Sequence, residues 1–235
     1  MTIEPSKYWQ TALDGYDDQL KSIVAGYPQA DILELGGGRR PSFAISDMPS
    51  NIATYTVNDV SADELALTAP EYEKACFDVG GDASNFEGRY DVVFSRFLAE
   101  HVRNGHQMHR NVHRVLKPGG VAFHLIPTLY ASPFVINRLL PERLTHKMLT
   151  TLFPIRKTIS PKFPAYYSVC RGNTPGMRKT FADMGYRQVE IREFYGHYYY
   201  DRLPVIRDIE NALSSIAAKN DWSWYTSYAY ITAYK

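Results

Sequence analysis

A glycine-rich turn and a later acid are spaced along the chain as a nucleotide-binding site requires. Glu34 lies in a short apolar run that ends in the turn Gly36, Gly37 and Gly38. Glycine lets a backbone approach a ligand closely and adopt positive φ angles. Asp59 ends the next run of β-branched and aromatic residues, roughly twenty residues after the turn. A carboxylate at this position can accept hydrogen bonds from both hydroxyls of a ribose. This spacing predicts a nucleoside site.

A third acid extends the pattern. Asp78 ends a further short run and is followed by Val79, Gly80 and Gly81. In a parallel sheet the carboxyl ends of neighbouring strands lie at one edge, so Asp78 is expected beside Asp59. We expect this position to hold the amino group of an adenine.

The elements that position these acids alternate along the chain. Strands are predicted near residues 31–35, 53–59, 73–77, 90–95, 121–126, 187–194 and 224–234, and helices near 8–24, from 61, and near 98–116 and 174–184. Ser61, with Glu64 three residues later, is typical of a helix N-cap. Strands and helices joined by short connections favour an α/β fold, a doubly wound and mostly parallel sheet covered on both faces.

Residues 127–173 break this alternation. They hold several prolines and a leucine-rich patch at helical spacing over residues 139–152. We expect an insert of this size after a central strand to form a helical cap over the carboxyl edge of the sheet. Its basic residues outnumber its acids; a solvated helix face explains this, and docking on an acidic substrate or a membrane surface is the alternative. The chain is interpreted as one domain, residues 1–235, containing this cap.

Composition excludes several classes of protein. Among 235 residues, 26 lysines and arginines face 25 acids, so the net charge of +1 gives no overall field to gather nucleic acid. Cys76 and Cys170 form no CxxC pair, which argues against a disulfide framework or zinc site and favours a cytoplasmic setting. No apolar run suggests a signal peptide or stable membrane association. The oligomeric state is left open.

Five ordered motifs resemble those of the class I S-adenosylmethionine-dependent methyltransferases. They are ILELGGG for the glycine turn, YTVNDVS for the ribose strand, CFDVGG for the adenine loop, YDVVFS for the central strand and RVLKPGG before the fifth strand. Together they span roughly residues 31–126. The resemblance implies a Rossmann-like seven-stranded sheet, S-adenosylmethionine as cofactor and transferase activity. Nicotinamide dehydrogenases share the glycine turn and ribose acid but do not usually carry LKPGG.

The resemblance also implies roles for particular residues. Glu34 would orient the glycine loop and the methionyl amine of the cofactor, and Asp59 would bind its ribose. The cofactor-binding residues that it implies are Glu34, Gly36, Gly37, Gly38, Asp59, Asp78, Val79, Ser95 and Arg96. Arg40 stands at the family's third glycine position and precedes Pro41, so the helix after the turn must start differently or later. Arg39 or Arg40 could reach the cofactor carboxylate, although a solvated arginine is the commoner arrangement.

Methyl transfer from a sulfonium is an in-line displacement, so the enzyme mainly aligns nucleophile, carbon and sulfur in a dry pocket. A base helps only if the acceptor must lose a proton. The catalytic candidates are His197, which lies among tyrosines past a predicted strand, Glu100 after the central strand and Tyr130 after the fifth. His124 lies within an apolar strand and is expected to be a core histidine. Further candidates are His101, Tyr166, Tyr167 and Arg171.

A histidine stripe invites a different interpretation. His106, His109 and His113 fall at positions i, i+3 and i+7 of a predicted helix. No carboxylate accompanies them and the chemistry needs no metal, so we expect no metal site.

Three functions remain open on the sequence alone. The first is methylation of an oxygen or nitrogen of a small molecule, because a proline-rich cap with many aromatic rings suits a compact acceptor. The second is cyclisation of S-adenosylmethionine with release of methylthioadenosine, as in azetidine-2-carboxylate synthases, for which an aromatic cage would hold the sulfonium. The third is a cofactor-binding module without turnover.

Overall fold

A seven-stranded sheet organises the chain. The computed structural model describes residues 3–139 and 164–235. The strands are β1 (Ala30–Leu35), β2 (Ile52–Asp59), β3 (Glu73–Cys76), β4 (Tyr90–Arg96), β5 (Leu116–Pro127), β6 (Gln188–Phe194) and β7 (Tyr228–Tyr234), in the order β3-β2-β1-β4-β5-β7-β6. β7 runs antiparallel to both of its neighbours, and the other pairs are parallel. The predicted doubly wound, seven-stranded fold is confirmed.

The order of the strands creates one switch point. From β1 the chain proceeds outward to β2 and β3, then returns to β4 on the other side of β1 and continues to β5. Connections therefore leave β1 and β4 in opposite directions, and a crevice opens outside their carboxyl ends. The two strands pair through Ile32–Val92, Leu33–Val93 and Glu34–Phe94. The first four of these side chains are fully buried, as expected for strands covered on both faces.

The helices precede the first strand or lie between the strands. They are α1 (Trp9–Asp14), α2 (Tyr16–Val24), α3 (Ala62–Ala66), α4 (Gly105–Val115), α5 (Ser132–Leu139), α6 (Pro175–Asp183) and α7 (Pro204–Lys219). Ser61 caps α3 by accepting a hydrogen bond from the Glu64 amide at 3.2 Å, as the sequence predicts. None of the helices in the described parts of the chain has the length and apolar character needed to cross a bilayer.

The N-terminal half departs from the predicted elements in two places. The single helix predicted over residues 8–24 is wrong, because the chain breaks at Gly15 into α1 and α2. A Cβ at Gly15 would lie 2.9 Å from the Thr11 carbonyl oxygen. Between β1 and β2 the chain forms only a 3₁₀ turn, Ile45–Asp47, which agrees with the unusual helix start expected from Arg40 and Pro41.

The helix predicted over residues 98–116 is also wrong at its start. A 3₁₀ turn, Ala99–His101, precedes α4, which begins where the Asn104 side chain accepts a hydrogen bond from the Gln107 amide at 3.1 Å. β5 begins at Leu116, earlier than predicted. Its next residue, Lys117, donates to Asp31 at 2.6 Å and to Asp91 at 2.7 Å, which ties this strand to the amino ends of β1 and β4.

The C-terminal half contains a helix that the sequence analysis does not predict. This helix, α7, has Pro204 at its first turn. The last strand begins at Tyr228, later than predicted, because Ser223–Tyr225 forms a 3₁₀ turn. Of the proposed cap, α5 is described, whereas the leucine-rich patch, apart from its first residue in α5, lies outside the described residues.

Two histidines are buried against each other in the core. The rings of His109 in α4 and His124 in β5 lie 5.3 Å apart, and both side chains are fully buried. Nδ1 of His124 is hydrogen-bonded to the Ser95 hydroxyl at 2.8 Å. Within the described residues, Nε2 of His124 and both ring nitrogens of His109 have no partner. Burial lowers the pKa of His124 to about 4 and that of His109 well below its usual value.

The other members of the histidine stripe are dispersed. His106 is exposed, and Nε2 of His113 is hydrogen-bonded to the Gly185 carbonyl oxygen at 3.1 Å. In the parts of the chain that the structure describes, no three histidine, cysteine or acidic side chains are grouped so that they could hold a metal ion.

The buried pair predicts acid sensitivity. An unfolded histidine binds a proton near pH 6.5, whereas folded His124 stays neutral down to about pH 4, so the free energy of unfolding falls as pH drops between these values. His109→Leu removes two unpartnered polar atoms and is expected to raise that free energy at pH 7 by about 1–2 kcal/mol. The His109→Leu protein should also lose less of its free energy of unfolding when the pH is lowered.

Urea unfolding at pH 7.5 and pH 5.0 measures both effects. His106→Leu is the matched control, because this exposed residue lies on the same helix, and it should change neither value. A His109→Leu protein that is less stable than the parent at both pH values would contradict the prediction.

Candidate functional site

The glycine turn is packed too closely for side chains. Gly36 and Gly38 have φ angles of +73° and +48°. A Cβ at Gly36 would lie 2.9 Å from a methyl of Leu98, and one at Gly38 would lie 2.9 Å from Oδ2 of Asp59. The Gly37 amide donates to the Asn58 carbonyl oxygen at 3.1 Å. The turn therefore lies directly against the end of β2 and the segment that follows β4.

Glu34 supports this turn from inside the protein. Its buried carboxylate accepts hydrogen bonds from the Ser42 amide at 3.0 Å and the Ser42 hydroxyl at 2.6 Å, and a third from the Tyr55 hydroxyl. Burial raises the pKa of Glu34, and these three hydrogen bonds oppose the rise. Glu34 thus fastens the chain beyond the turn to β1 and β2. The sequence does not indicate Ser42 or Tyr55, because their contacts arise only when the turn folds back.

Asp59 stands at the carboxyl end of β2, half-buried. Its Oδ1 accepts a hydrogen bond from the Ser61 amide at 2.9 Å, while Oδ2 lies alongside Gly38. Arg39, one of the two arginines considered for the cofactor carboxylate, instead donates to both carboxylate oxygens of Glu64 at 2.5 and 2.6 Å. Asp59 therefore lies against the glycine turn at Gly38, as the carboxylate of Glu34 does at Gly37.

The loop after β3 is fixed by a buried amide side chain. Asp78 is exposed, and its Oδ1 accepts from the Gly80 amide at 2.7 Å. Asn111 of α4 donates to the carbonyl oxygens of Val79 and Gly81 at 2.8 and 2.7 Å. These contacts hold the loop at the same edge of the sheet as Asp59. The sequence offers one weak signal for Asn111, an amide on the apolar face of an amphipathic helix.

The end of β4 divides between the core and the surface. Ser95 is fully buried against His124. Arg96 is exposed, donates to the Leu13 carbonyl oxygen at 3.2 Å, and places its guanidinium 5.3 Å from the centre of the Tyr16 ring. The next residue, Phe97, has a φ of +55°, and after this bend Leu98 contacts the glycine turn. Ser95 and Arg96 thus contact other parts of the protein, and Leu98 is the neighbour of Gly36.

Glu100 is a buried acid with a free oxygen. Glu100 belongs to the 3₁₀ turn after β4, and its Oε2 has no hydrogen-bond partner among the described residues. Burial raises the pKa of Glu100 to about 8. Its backbone oxygen accepts hydrogen bonds from the amides of Tyr166 and Tyr167 at 2.6 and 3.1 Å. His101 adds a hydrogen bond from Nδ1 to the Pro164 oxygen at 2.9 Å. Glu100 therefore lies where the segment 164–171 joins the end of β4.

A cavity of about 480 Å³ opens at this junction. It lies between the segments that follow β4 and β5, beyond their carboxyl ends. Tyr167 and Val169 have φ angles of +52° and +59°, which residues other than glycine rarely adopt. A Cβ on Gly105 would overlap the Ser168 carbonyl, so this glycine permits the close approach of the segment. The cavity is lined by Arg103, Leu129, Tyr166, Tyr167, Ser168, Val169 and Arg171.

His197 lies in the connection between β6 and α7 and does not line this cavity. Its Nδ1 accepts a hydrogen bond from the Tyr199 amide at 3.3 Å, and Nε2 lies 3.3 Å from Oε1 of Glu210. That oxygen also accepts hydrogen bonds from the hydroxyls of Ser132 and Tyr225. Both ring nitrogens are thus engaged by the protein. The pKa of Glu210 is lowered because the hydrogen bonds from His197 and Tyr225 outweigh its burial.

Tyr130 follows β5 and contacts a residue of the cavity. The guanidinium of Arg171 lies 5.7 Å from the centre of its ring. All three catalytic candidates follow strands that end at the same edge of the sheet, and none of them lines the cavity. Glu100 and Tyr130 contact the cavity-lining segment, whereas His197 belongs to the hydrogen-bonded cluster around Glu210.

Comparison with known proteins agrees with this geometry. Residues 33–124 match the model of a family described as a methyltransferase domain. A polyketide synthase-nonribosomal peptide synthetase of Pyricularia grisea is 35% identical over 108 residues, which are 40% of this chain and 3% of that protein. The chain thus spans a small fraction of this relative's length.

Solved structures share the whole fold at low identity. An S-adenosylmethionine-dependent methyltransferase from Mesorhizobium loti is 16% identical with a TM-score of 0.58, covering 95% of this chain and 100% of its own. Phosphoethanolamine N-methyltransferase 2 of Haemonchus contortus, solved with S-adenosyl-L-methionine, is 16% identical with a TM-score of 0.57 and covers 97% of this chain and 52% of its own. Residues 33–124 therefore match a methyltransferase domain, and the described chain has the fold of these S-adenosylmethionine-dependent methyltransferases.

Proposed function

We propose that this protein transfers a methyl group from S-adenosylmethionine to an oxygen or nitrogen of a small molecule. One observation carries the proposal. The glycine turn, Asp59 and the loop after β3 lie at one side of the switch point between β1 and β4, and the cavity beside Glu100 lies at the other. A cofactor and an acceptor at these positions would meet at the carboxyl ends of the two strands.

The residues on the cofactor side fit an adenosyl group. The glycine turn has no side chains of its own and packs against Leu98 and Asp59, so its backbone can contact a ligand. Oδ2 of Asp59 is directed to the turn and is available for ribose hydroxyls. Asp78 and the Val79 amide are proposed to contact adenine, on the loop that Asn111 holds. When bound, the cofactor supplies an electrophilic methyl group on a positively charged sulfur.

Glu100 is the side chain that we propose as general base. Its free oxygen is buried, and the raised pKa keeps the group largely protonated at neutral pH and ionised above about pH 8. The ionised form can accept the proton of an acceptor hydroxyl or ammonium group. A buried carboxylate with an unpartnered oxygen is also a stronger base than a solvated one.

His197 and Tyr130 are assigned positioning roles in this proposal. Both nitrogens of His197 are engaged by Tyr199 and Glu210, so the ring holds the connection between β6 and α7 in place. Tyr130 supports the guanidinium of Arg171 at the wall of the cavity.

Two measurements separate the candidate functions. Calorimetry with S-adenosylhomocysteine measures cofactor binding, and incubation with S-adenosylmethionine, alone and with a panel of small acceptors, measures turnover. Release of S-adenosylhomocysteine that depends on an acceptor supports methyl transfer. Methylthioadenosine formed without an acceptor, above the uncatalysed background, would support ring closure instead, and tight binding with no turnover across the panel would support a binding module.

The glycine turn gives a sharp test of the cofactor site. Gly38→Ala is expected to weaken S-adenosylhomocysteine binding by at least about tenfold, because a Cβ there would displace the Asp59 carboxylate. Gly88→Ala is the matched control. Gly88 also has a positive φ, +64°, but nothing lies within 4 Å of its Cβ position. Both variants should lose about 1 kcal/mol of stability from backbone strain, and only the first should lose affinity. Equal affinities in calorimetry would contradict the assignment.

The role of Glu100 predicts a pH profile. With any acceptor that must lose a proton, kcat/KM should rise with pH up to about 8 and level off above it, because the base works only when ionised. Glu100→Gln should lower kcat/KM by about 10²–10⁴ and remove this rise. Glu87→Gln, a substitution of an exposed acid, should leave the profile unchanged. A parental profile that is flat between pH 6 and 9.5 would rule out Glu100 as the base.

A further inference from the structure

Two arginines line the cavity without acidic partners. Arg103 follows β4 and places its guanidinium 5.4 Å from the centre of the Tyr166 ring, and Arg171 is placed similarly over Tyr130. Among the residues that the structure describes, no carboxylate lies within 4.0 Å of either guanidinium. The wall of the cavity therefore carries two positive charges that the described part of the protein does not neutralise.

Arg171 is held in one orientation. Its Nη1 donates to the carbonyl oxygens of Tyr167 and Cys170, both at 2.9 Å. These bonds use one nitrogen and leave the edge formed by Nη2 and Nε without a partner among the described residues. A guanidinium fixed in this way loses little conformational entropy when it binds an anion, and its planar fork matches the two oxygens of a carboxylate.

The rest of the lining is apolar or aromatic. Leu129 and Val169 contribute aliphatic surface, and the rings of Tyr166 and Tyr167 complete the wall. The volume of about 480 Å³ is in the range of sites for small organic molecules. Such a cavity suits a ligand with an apolar body and one anionic end.

We infer that the acceptor of this enzyme is an organic acid, whose carboxylate binds Arg171 and Arg103 and whose apolar body lies against Leu129 and Val169. This inference rests on the proposed function, because it names the substrate class of the same site. The carboxylate would fix the molecule at the end away from the reacting atom, so the two arginines act as binding residues. Glu100 lies at the junction with the cavity-lining segment.

Paired probes test the inference by calorimetry in the presence of S-adenosylhomocysteine. The acids are salicylate, hexanoate and indole-3-acetate, and each is compared with its primary amide, which has the same shape and no charge. At least one acid should bind at least about tenfold more tightly than its amide, as expected for a charge-assisted bidentate contact. Failure of all three acids to bind at 20 mM, or equal binding of acid and amide, would overturn the inference. Phenyl phosphate binding more than about tenfold more tightly than the best acid would also overturn it.

Variants locate the site. Arg171→Gln should weaken binding of the best acid by at least about tenfold, and Arg171→Lys should recover only part of the loss because a lysine has no planar fork. Arg103 is exposed, so Arg103→Gln should not impair folding. This variant should weaken binding of the best acid by at least about threefold. Arg110→Gln, an exposed substitution on α4, is the matched control and should have no effect. Unchanged acid binding in both Arg171→Gln and Arg103→Gln would refute the assignment.

The same titrations keep the two proposals apart. Affinity for S-adenosylhomocysteine should be unchanged in all four variants, since none touches the glycine turn. If the parent binds this nucleoside but no acid, the inference fails and the methyltransferase proposal stands. If it binds an acid through the two arginines but no nucleoside, the acid site is retained and the proposed methyl transfer fails.

Discussion

Close packing around the glycine turn is the constraint on which the site depends. The turn packs closely against the end of β2 and the segment after β4. A Cβ at Gly36 would clash with Leu98, and one at Gly38 would clash with Asp59. Backbone, rather than side chain, therefore faces the crevice at the switch point. A helix commonly follows such a turn, but here the chain continues irregularly to a short 3₁₀ turn. The three hydrogen bonds that Glu34 accepts from Ser42 and Tyr55 hold this irregular chain in place.

Two buried glutamates show how hydrogen bonding decides the use of a carboxyl group. Burial raises the pKa of both Glu34 and Glu100. Glu34 accepts three hydrogen bonds, which stabilise its negative charge. Its carboxylate therefore has a structural role, because it holds the chain after the glycine turn. Glu100 has one oxygen, Oε2, that no residue in the described parts of the chain satisfies. An unsatisfied buried carboxyl group costs stability, and such a cost is commonly retained where the group serves function.

Local pattern was enough to predict most of the sheet and little of its support. The strands, the Ser61 cap and the α/β fold class follow from periodicity and turn residues, which act between near neighbours in sequence. Asn111 and Leu98 act across the fold, and nothing in their local sequence marks the loop or turn that each contacts. The single helix predicted over residues 8–24 failed at Gly15, because apolar spacing continues across a break that is set by the backbone.

Charge illustrates the same limit more sharply. A net charge of +1 predicts no overall field, yet net charge says nothing about where unpaired charges lie on the surface. Arg103 and Arg171 are far apart in sequence, and folding brings them to one cavity because segment 164–171 is hydrogen-bonded to the backbone of Glu100. The contact that forms this cavity is therefore also the contact that concentrates its positive charge. In the proposed function the cofactor is recognised by a turn without side chains, whereas the inferred acceptor binds two long side chains. This difference accounts for why the sequence motifs indicate only the cofactor site.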